Sequence, residues 1–373
     1  MANFKKAFVP AAWIFYVVIV FEILYMISPF ALYFYSAYGP WLNFFHQSRY
    51  TAWLTGFFLP HFSQTTSPVL NWLPKLSDPL VYAGVGLFFV GFIQIYGAKL
   101  LRRGAVTGGL YKFIRHPQYV GLAIVGVGTL LHWPRFLVLV MFVTMLFLYY
   151  FLACYEEERC WQKFGDAYRA YQERTGMFFP GSFLHKLPRL LPPSGGKRIV
   201  AALALYAVVM AATTGLGYWL RDYSLSHLST LYRENMAVIS PAVLTKDEMN
   251  QAVRVAMGSA EVREKLPNPG QTAKLLVYVV PVEWRLPDVP MEVTQGGPRG
   301  HHVPGDFDRR RYKVLFTQVR TQAPAIHYEK IIKEAHGRDP IVLVKVDTGT
   351  AQITGIETPP PHVRWGDIPT PLF

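Results

Sequence analysis

Long runs of apolar residues constrain this chain more than any other feature. Residues 79–98, 136–155 and 199–220 contain no charged side chain, and residues 7–38 contain only Glu22. A helix needs about 20 such residues to cross the hydrocarbon core of a bilayer, because each residue advances it by about 1.5 Å. The sequence therefore predicts membrane-spanning helices, and it argues against a disordered or fully soluble chain.

A fifth apolar run, residues 117–131, is short. It reaches about 22 Å as a helix, which is less than the roughly 30 Å of the hydrocarbon core. We count it as a span, which makes five. If it were re-entrant instead, the region after residue 220 would return to the side of the N terminus.

The basic residues predict the orientation. Residues 1–220 contain 18 Lys and Arg against 7 Asp and Glu, whereas residues 221–373 contain 19 against 17. In the apolar half, the basic residues cluster before the first run and in the loops 99–115 and 159–198. Such loops face the cytoplasm. We therefore expect an integral protein of a bacterial inner membrane, with a cytoplasmic N terminus, an extracytoplasmic C-terminal region and no nucleic-acid partner.

The predicted fold class is a membrane all-α bundle of about five transmembrane helices with a C-terminal α+β soluble domain. The bundle takes residues 1–198, the fifth transmembrane helix residues 199–220 and the extracytoplasmic domain residues 221–373. In that domain, Thr245 and Glu248 predict a capping box that opens a helix to about Lys265. Strands are predicted over 273–284 and 311–319, a helix over 325–336, and a hairpin over 341–346 and 351–356. It shows no catalytic or metal-binding spacing, so its expected role is docking to a membrane-protein partner.

Chemically versatile residues concentrate in two segments, GGLYKFIRHPQYVG at 108–121 and EEERCWQKFGDAYRAYQERTGMFFP at 156–180. The second predicts a cytoplasmic amphipathic helix over 156–175 that returns along the membrane. Together the segments bring six polar residues to one border of the bundle: Tyr111, Arg115, His116, Tyr119, Glu156 and Glu157. Ionisable groups at membrane depth are costly unless they are paired or functional. The alternatives are purely structural roles, in which the glutamates form a solvated helix start and Arg115 anchors the chain at the membrane interface.

This set of side chains suits a ligand with a carboxylate, a diol, a planar base and a positive centre. Arg115 and His116 can bind a carboxylate, and Glu156 or Glu157 can accept from hydroxyls or an ammonium. The tyrosines can face a cation or stack on a base. The description fits S-adenosylmethionine. The two cysteines have no neighbouring ligand cluster, so no metal site is predicted.

The order of these motifs resembles the isoprenylcysteine carboxyl methyltransferase family and its relatives, the membrane phospholipid N-methyltransferases, over about residues 80–180. The matching positions are Gly109 and Tyr111, then Arg115, His116, Pro117, Tyr119 and Gly121, the pair Glu156-Glu157, and Phe164, Gly165, Tyr168 and Tyr171. The resemblance implies a cytoplasm-facing S-adenosylmethionine pocket and a lipophilic acceptor that enters from the lipid. It implies cofactor contacts from Tyr111, His116, Pro117, Gln118, Tyr119 and Glu156, with the backbone of 103–106 as an addition. Glu157 contacts the ligand or braces the helix.

One position departs from the family. Its carboxyl-methylating members place an arginine four residues before the first glutamate, and this chain has Leu152 there. A neutral amine or thiol, or a different lipid, is then a better acceptor than a prenylcysteine carboxylate. Methyl transfer from a sulfonium needs alignment more than proton transfer, so we name no catalytic residue. The competing hypothesis is a non-catalytic structural or assembly subunit of a membrane complex that retains a methyltransferase-like scaffold.

Overall fold

The computed structural model describes residues 2–37, 40–61, 63–101, 104–181, 196–267, 274–284, 305–321 and 327–359. The chain forms two compact units. The first, the bundle unit, comprises Met1–Ser36, Leu76–Leu131 and Val138–Thr213. The second, the sheet unit, comprises Ala37–Lys75, His132–Leu137 and Thr214–Phe373. The domain boundaries predicted from the sequence, at residues 198 and 220, stay predictions.

Apolar helices build the first part of the chain. They are α1 (Ala2–Ala37), α4 (Ser77–Leu100), α5 (Pro117–His132), α6 (Phe136–Phe164) and α8 (Gly196–Ser226). Among the described residues, the helical stretches Pro68–Leu100, Phe136–Phe164 and Ile199–Ser226 are long and apolar enough to cross a membrane, and Val20–Ser36 is a shorter apolar stretch. α5 has 16 residues and spans about 24 Å. Three spans are therefore supported, and the count of five stays a prediction.

Glycines let α4 and α5 approach closely. A Cβ added to Gly84 would lie 2.6 Å from the carbonyl oxygen of Gly121, which no side chain tolerates. A Cβ on Gly128 would lie 2.8 Å from the carbonyl oxygen of Ser77, and the Ser77 hydroxyl donates to the carbonyl of Gly128 at 2.9 Å. Each helix thus presents backbone to the other, which is the arrangement that small residues allow in membrane helices.

The return helix predicted over 156–175 is wrong at its start, because the observed return helix begins only at Asp166. α6 continues through Glu156 and Glu157 to Phe164, and the turn comes at Gly165, where φ is +57°. α7 (Asp166–Arg174) follows. The reason is local, because no glycine or proline interrupts residues 136–164. The alternative that these glutamates form a helix start is therefore wrong.

The sheet unit contains a six-stranded mixed sheet. Its strands are β1 (Ser229–Arg233), β2 (Met236–Ser240), β3 (Leu275–Pro281), β4 (Arg311–Thr321), β5 (Ala335–Asp347) and β6 (Gln352–Glu357), and they lie in that order. Among the described strands, β2 and β3 are the one parallel pair. Their connection contains α9 (Lys246–Met257) and α10 (Ala260–Lys265). Every residue of β3 is buried. The central strands are therefore covered on both faces, and a mixed sheet with helices confirms the α+β character of this region.

The segment Ala37–Lys75, which connects α1 to α4, also belongs to the sheet unit. Its helices are α2 (Pro40–Gln47) and α3 (Pro68–Trp72), with 3₁₀ turns at Ala52–Thr55 and Leu73–Leu76. Backbone hydrogen bonds tie it to the rest of the unit: the amide of Phe58 donates to Pro134 at 2.9 Å, and that of Gln64 donates to Pro241 at 2.7 Å. The connector is thus an integral part of the sheet unit.

The details of the C-terminal prediction are mixed. The capping box at Thr245 and Glu248 is confirmed, although the helix breaks at Gly258. The hairpin of β5 and β6 is confirmed. The predicted helix over 325–336 is wrong in extent, because a 3₁₀ turn and α11 (Ile331–Glu334) are followed at once by β5. Between the predicted strands 273–284 and 311–319, most of the proline- and glycine-rich segment 286–306 lies outside the described residues.

Candidate functional site

A tight turn presents Tyr111 to the interior of the bundle unit. The turn is the 3₁₀ segment Gly109–Lys112, and Gly109 has a φ of +62°. Gln94 of α4 fills the space beside it: its Oε1 accepts from the Leu110 amide at 3.2 Å. A Cβ on Gly109 would lie 2.4 Å from the Gln94 amide nitrogen. The buried Tyr111 hydroxyl then donates to Oε1 of Gln118 at 2.9 Å, which fixes the turn to the start of α5.

A short backbone pairing holds the Arg-His-Pro segment. Ile114 forms a parallel bridge with Gly176, and the amides of Arg115 and His116 donate to the carbonyls of Gly176 and Met177 at 3.0 and 3.1 Å. A Cβ on Gly176 would lie 1.8 Å from the carbonyl oxygen of Phe179, so the loop after α7 needs glycine at this position. The loop after α7 therefore fixes the position of the His116 backbone just before Pro117 begins α5.

Arg115 and Glu157 form a buried ion pair. Arg115 Nε donates to Glu157 Oε1 at 2.6 Å, and their side chains are only 5% and 10% exposed. The Arg115 guanidinium also donates to the carbonyls of Gln172 (3.1 Å) and Thr175. Gln172 donates to the other Glu157 oxygen at 2.9 Å. Arg115 and Glu157 thus join the loop, α6 and α7, and they are engaged with the protein itself.

Glu156 has a different environment. It accepts from the Tyr119 hydroxyl at 2.5 Å, and its second oxygen lies 3.4 Å from Nδ1 of His116. Its side chain is 40% exposed. Adjacent glutamates on one helix are therefore divided, with Glu157 turned into the protein and Glu156 accessible.

Aromatic rings form a stack beside Glu156. The His116 ring stacks on Tyr119 with centroids 5.5 Å apart and planes at 9°, and Tyr119 stacks on Tyr149 of α6 at 4.7 Å. Phe178 also lies near His116, with ring centroids 5.9 Å apart. The accessible carboxylate thus lies beside the stacked rings of His116, Tyr119 and Tyr149, here called the aromatic wall. Such a surface suits a planar or cationic ligand.

His116 lies between both carboxylates. Its Nε2 is 3.3 Å from Glu157 Oε1, while its Nδ1 faces Glu156. Burial by itself lowers the pKa of His116, but the hydrogen bonds to Glu156 and Glu157 outweigh it, so its pKa is raised above the ordinary value. Two acceptors on opposite ring nitrogens favour the doubly protonated ring.

All eight predicted site residues lie in the described part of the bundle unit. The structure brings five of them together, and these are Arg115, His116, Tyr119, Glu156 and Glu157. Tyr111 lies on the adjoining 3₁₀ turn, and Pro117 and Gln118 begin α5. Leu152 is partly buried one helical turn before Glu156. Arg103, an additional candidate, lies outside the described residues. Within the described residues, no group of three or more His, Cys, Asp or Glu side chains offers a metal site.

The sequence analysis missed several supporting residues. Gln94, Gln172 and Gly176 hold the turn, the ion pair and the loop, respectively. Gly176 carried a local signal, as a glycine four residues before Pro180 in an aromatic segment. Gln94 and Gln172 carried none, because a glutamine in a helix has no distinctive pattern until its partner is known.

Comparison with known proteins gives one match. Residues 81–167 match a family model described as "Phospholipid methyltransferase". No curated protein matches the chain, and no solved structure matches it. The matched residues include every candidate site residue from Tyr111 to Glu157 and the α4 residue Gln94. The part of the chain from residue 81 to residue 167 therefore fits the isoprenylcysteine and phospholipid methyltransferase family.

Proposed function

We propose that this chain is an integral-membrane methyltransferase that uses S-adenosylmethionine to methylate a lipophilic or small membrane-soluble acceptor. The family match indicates a membrane methyltransferase. The observation that supports the cofactor is the accessible Glu156 carboxylate against the stacked rings of His116 and Tyr119. The neighbouring Glu157 binds Arg115 and Gln172. Glu156 would therefore contact the ligand, while Glu157 would hold the surrounding protein in place.

The side chains present fit S-adenosylmethionine. Glu156 would accept from the ribose hydroxyls, and the aromatic wall would bear on the planar base or the sulfonium. Pro117 begins α5 and has no N–H of its own, so the backbone donors offered by this first turn are the amides of Gln118 and Tyr119. Tyr111 would line the same side, held in place by Gln118. Arg115 and Glu157 would act as positioning residues, because they bond each other and are held further by Gln172.

The protein's contribution to the reaction is alignment and exclusion of water. S-adenosylmethionine held beside Glu156 and Tyr119 would supply a methyl group on a positively charged sulfur, which would become a neutral thioether on transfer of that group. Tyr119 keeps its proton directed at Glu156. The stack of His116, Tyr119 and Tyr149 would keep water from one side of the carboxylate, while its exposed side would remain open to the ligand. Such fixed geometry lowers the barrier by orientation.

The acceptor is best sought among lipophilic amines, thiols and alcohols. Residues 136–158 of α6 contain no basic side chain, so Leu152 has no neighbour on its own helix that would neutralise an acceptor carboxylate. We further propose that the site faces the cytoplasm and that residues 221–373 contact a membrane-protein partner.

Cofactor binding is the deciding experiment. Detergent-solubilised protein is titrated with S-adenosylmethionine in a calorimeter, together with the variants Glu156→Ala and Glu158→Ala. Glu158 is the matched control, because it is exposed two positions along the same helix and bonds only locally to Gln162 at 3.0 Å. Loss of a hydrogen bond to a charged group costs about 1.5–3 kcal/mol, so Glu156→Ala weakens binding by about ten- to a hundredfold. Glu158→Ala binds as the wild type does.

The outcomes separate the two hypotheses. Binding that depends on Glu156, followed by transfer of a labelled methyl group into a membrane extract, supports the enzyme and reveals the acceptor class. Absence of heat with folded wild-type protein contradicts the proposal and favours the non-catalytic subunit. Equal losses in both variants contradict the assigned role of Glu156.

A further inference from the structure

A pocket of about 490 Å³ opens at one end of the mixed sheet, within the sheet unit. It lies where β1 ends and where β2 and β3 begin, because Arg233 pairs with Met236 and Met236 pairs with Leu275. The 3₁₀ turn Tyr328–Lys330 contacts β1 and β2 and contributes another side. The pocket is therefore formed by three strand ends and one turn that the chain brings together only on folding.

Two cations line this pocket. Arg233, at the end of β1, donates to Oδ1 of Asn250 on α9, and Lys274, just before β3, donates to Oδ1 of Asn235. Both acceptors are neutral amide oxygens, so these bonds orient the cations without neutralising them. Within the described residues, no ion pair includes either cation. Both side chains are half-buried, and a charge removed from water is costly unless an opposite charge compensates it.

The turn between β1 and β2 holds one of the cations in place. Asn235 has a positive φ of 58°, and its carbonyl accepts from the Leu275 amide at 2.9 Å. Asparagine tolerates this conformation, and its side chain here reaches Lys274. Glu234, the acidic residue among the described residues of the lining, is exposed. Two cations against one carboxylate leave the lining with a net positive charge.

Aromatic side chains form the rest of the lining. The rings of His327 and Tyr328 lie 4.4 Å apart at 30°, and Tyr232 is half-buried in the same pocket. Nδ1 of His327 lies 3.7 Å from a carboxylate oxygen of Glu329, so we do not count His327 as a further cation. Aromatic faces bind planar or apolar groups. The pocket thus combines a cationic end with an aromatic side.

We propose that this pocket binds the dianion of an organic phosphate monoester that carries a planar or apolar body. A phosphate monoester has a charge of about −1.5 to −2 at pH 7, which matches two cations, and its oxygens accept several hydrogen bonds. A guanidinium has five N–H donors and an ammonium has three, so the bonds to asparagine leave donors for a ligand. The site belongs to the sheet unit, so the inference goes beyond the proposed methyl transfer and does not depend on it.

The probe is phenyl phosphate, and phenyl sulfate is its matched control, because the sulfate ester has the same ring and one charge fewer. The full-length protein in a neutral maltoside detergent is titrated with each compound above the second phosphate pKa of about 6. Saturation-transfer NMR of the ring protons gives the Kd. We expect phenyl phosphate to bind about fivefold more tightly, the fold-change of one additional ionic contact of about 1 kcal/mol.

Four variants locate the binding. Arg233→Gln and Lys274→Gln should each raise the Kd of phenyl phosphate about tenfold or more, because each removes a hydrogen bond to a charged group. Glu234→Gln should lower that Kd, since it removes a like charge, and a gain in affinity cannot result from misfolding. Arg311→Gln is the matched control, because Arg311 is exposed at the opposite end of the paired strands β3 and β4, and it should bind as the wild type does.

A phosphate monoester can come from a soluble molecule or from phosphatidic acid in the membrane. The titration is therefore repeated in phosphatidylcholine nanodiscs that contain either phosphatidic acid or phosphatidylglycerol, whose phosphodiester carries a single charge. Competition by phosphatidic acid alone identifies a lipid source, and binding without competition identifies a soluble one; the site stands in both cases. Equal competition by the two lipids contradicts the selectivity for a dianion.

The inference fails if phenyl phosphate does not bind the folded wild-type protein or if phenyl sulfate binds equally well. It also fails if Glu234→Gln does not lower the Kd, or if Arg233→Gln and Lys274→Gln leave it unchanged. None of these results bears on binding of S-adenosylmethionine, so the proposed function and this inference can fail separately.

Discussion

Removal of the Glu157 charge is expected to destabilise the protein far more than removal of the Glu156 charge. Glu157→Gln leaves the Arg115 guanidinium, 5% exposed, without its carboxylate. Breaking one side of a buried pair costs about 3–5 kcal/mol. We expect the lower end, about 3 kcal/mol, because Arg115 keeps the carbonyls of Gln172 and Thr175. Glu156→Gln should cost about 1 kcal/mol, since its side chain is 40% exposed.

The assay is reversible unfolding in mixed micelles of a mild and a denaturing detergent, followed by tryptophan fluorescence. A loss of about 3 kcal/mol lowers the ratio of folded to unfolded protein more than a hundredfold. A double-mutant cycle with Arg115→Met isolates the pair. The double variant Arg115→Met/Glu157→Gln should be less destabilised than the sum of the single variants, because it leaves neither charge of the pair alone.

Two results would refute this reasoning. Equal destabilisation by Glu157→Gln and Glu156→Gln would mean that the two carboxylates share one environment. A cycle with no coupling free energy would mean that Arg115 and Glu157 do not interact in the folded protein. In either case the assignment of Glu157 to the scaffold and Glu156 to the ligand would be withdrawn.

Three further predictions follow from the geometry. Gly109→Ala should destabilise the turn by about 1 kcal/mol or more, because its φ is +62°; Gly108→Ala, with open space around it, is the control in the same unfolding assay. Gly84→Leu should prevent contact of α4 with α5, whereas Gly86→Leu, where nothing lies within 4 Å, should not; accumulation of folded protein measures both. His116 has a raised pKa, so its ionic contribution to stability is complete below its unfolded pKa of about 6.5 and is lost as pH rises through the raised value. Stability measured against pH should therefore be flatter in His116→Gln over that interval.

The sequence predicts the parts of the candidate site that lie in local motifs. The Arg-His-Pro segment and the glutamate pair meet, as the pattern predicts, although the pair lies within α6 and not at the start of a return helix. Supporting contacts from distant helices are not predictable in this way. Gln94 bonds the Leu110 amide 16 positions along the chain, and nothing in the residues around Gln94 distinguishes it from any other half-buried glutamine.

The sheet unit shows tertiary contacts overriding local signals. The segment His336-Gly337-Arg338-Asp339-Pro340 has the composition of a turn, yet it belongs to β5. Pairing with β4 holds it extended, and irregularities in register at Phe316/Thr317 and at Arg320/Thr321 accommodate the residues that disturb the ladder. The hairpin of β1 and β2 was missed for a different reason. Its turn is Glu234-Asn235, in which Asn235 supplies the positive φ of 58° that glycine usually provides.

The division between the two glutamates follows from helix geometry. Consecutive residues of a helix are rotated by about 100°, so a Glu-Glu pair cannot face one environment once the helix continues through it. α6 does continue, which turns Glu157 to Arg115 and leaves Glu156 beside Tyr119. His116 connects the two sides, because each of its ring nitrogens faces a different carboxylate, at 3.4 and 3.3 Å. We therefore expect a change in the charge of Glu157 to alter the proton on His116 and, through it, the electrostatic environment of Glu156, so that the buried and the accessible carboxylate form one electrostatic unit.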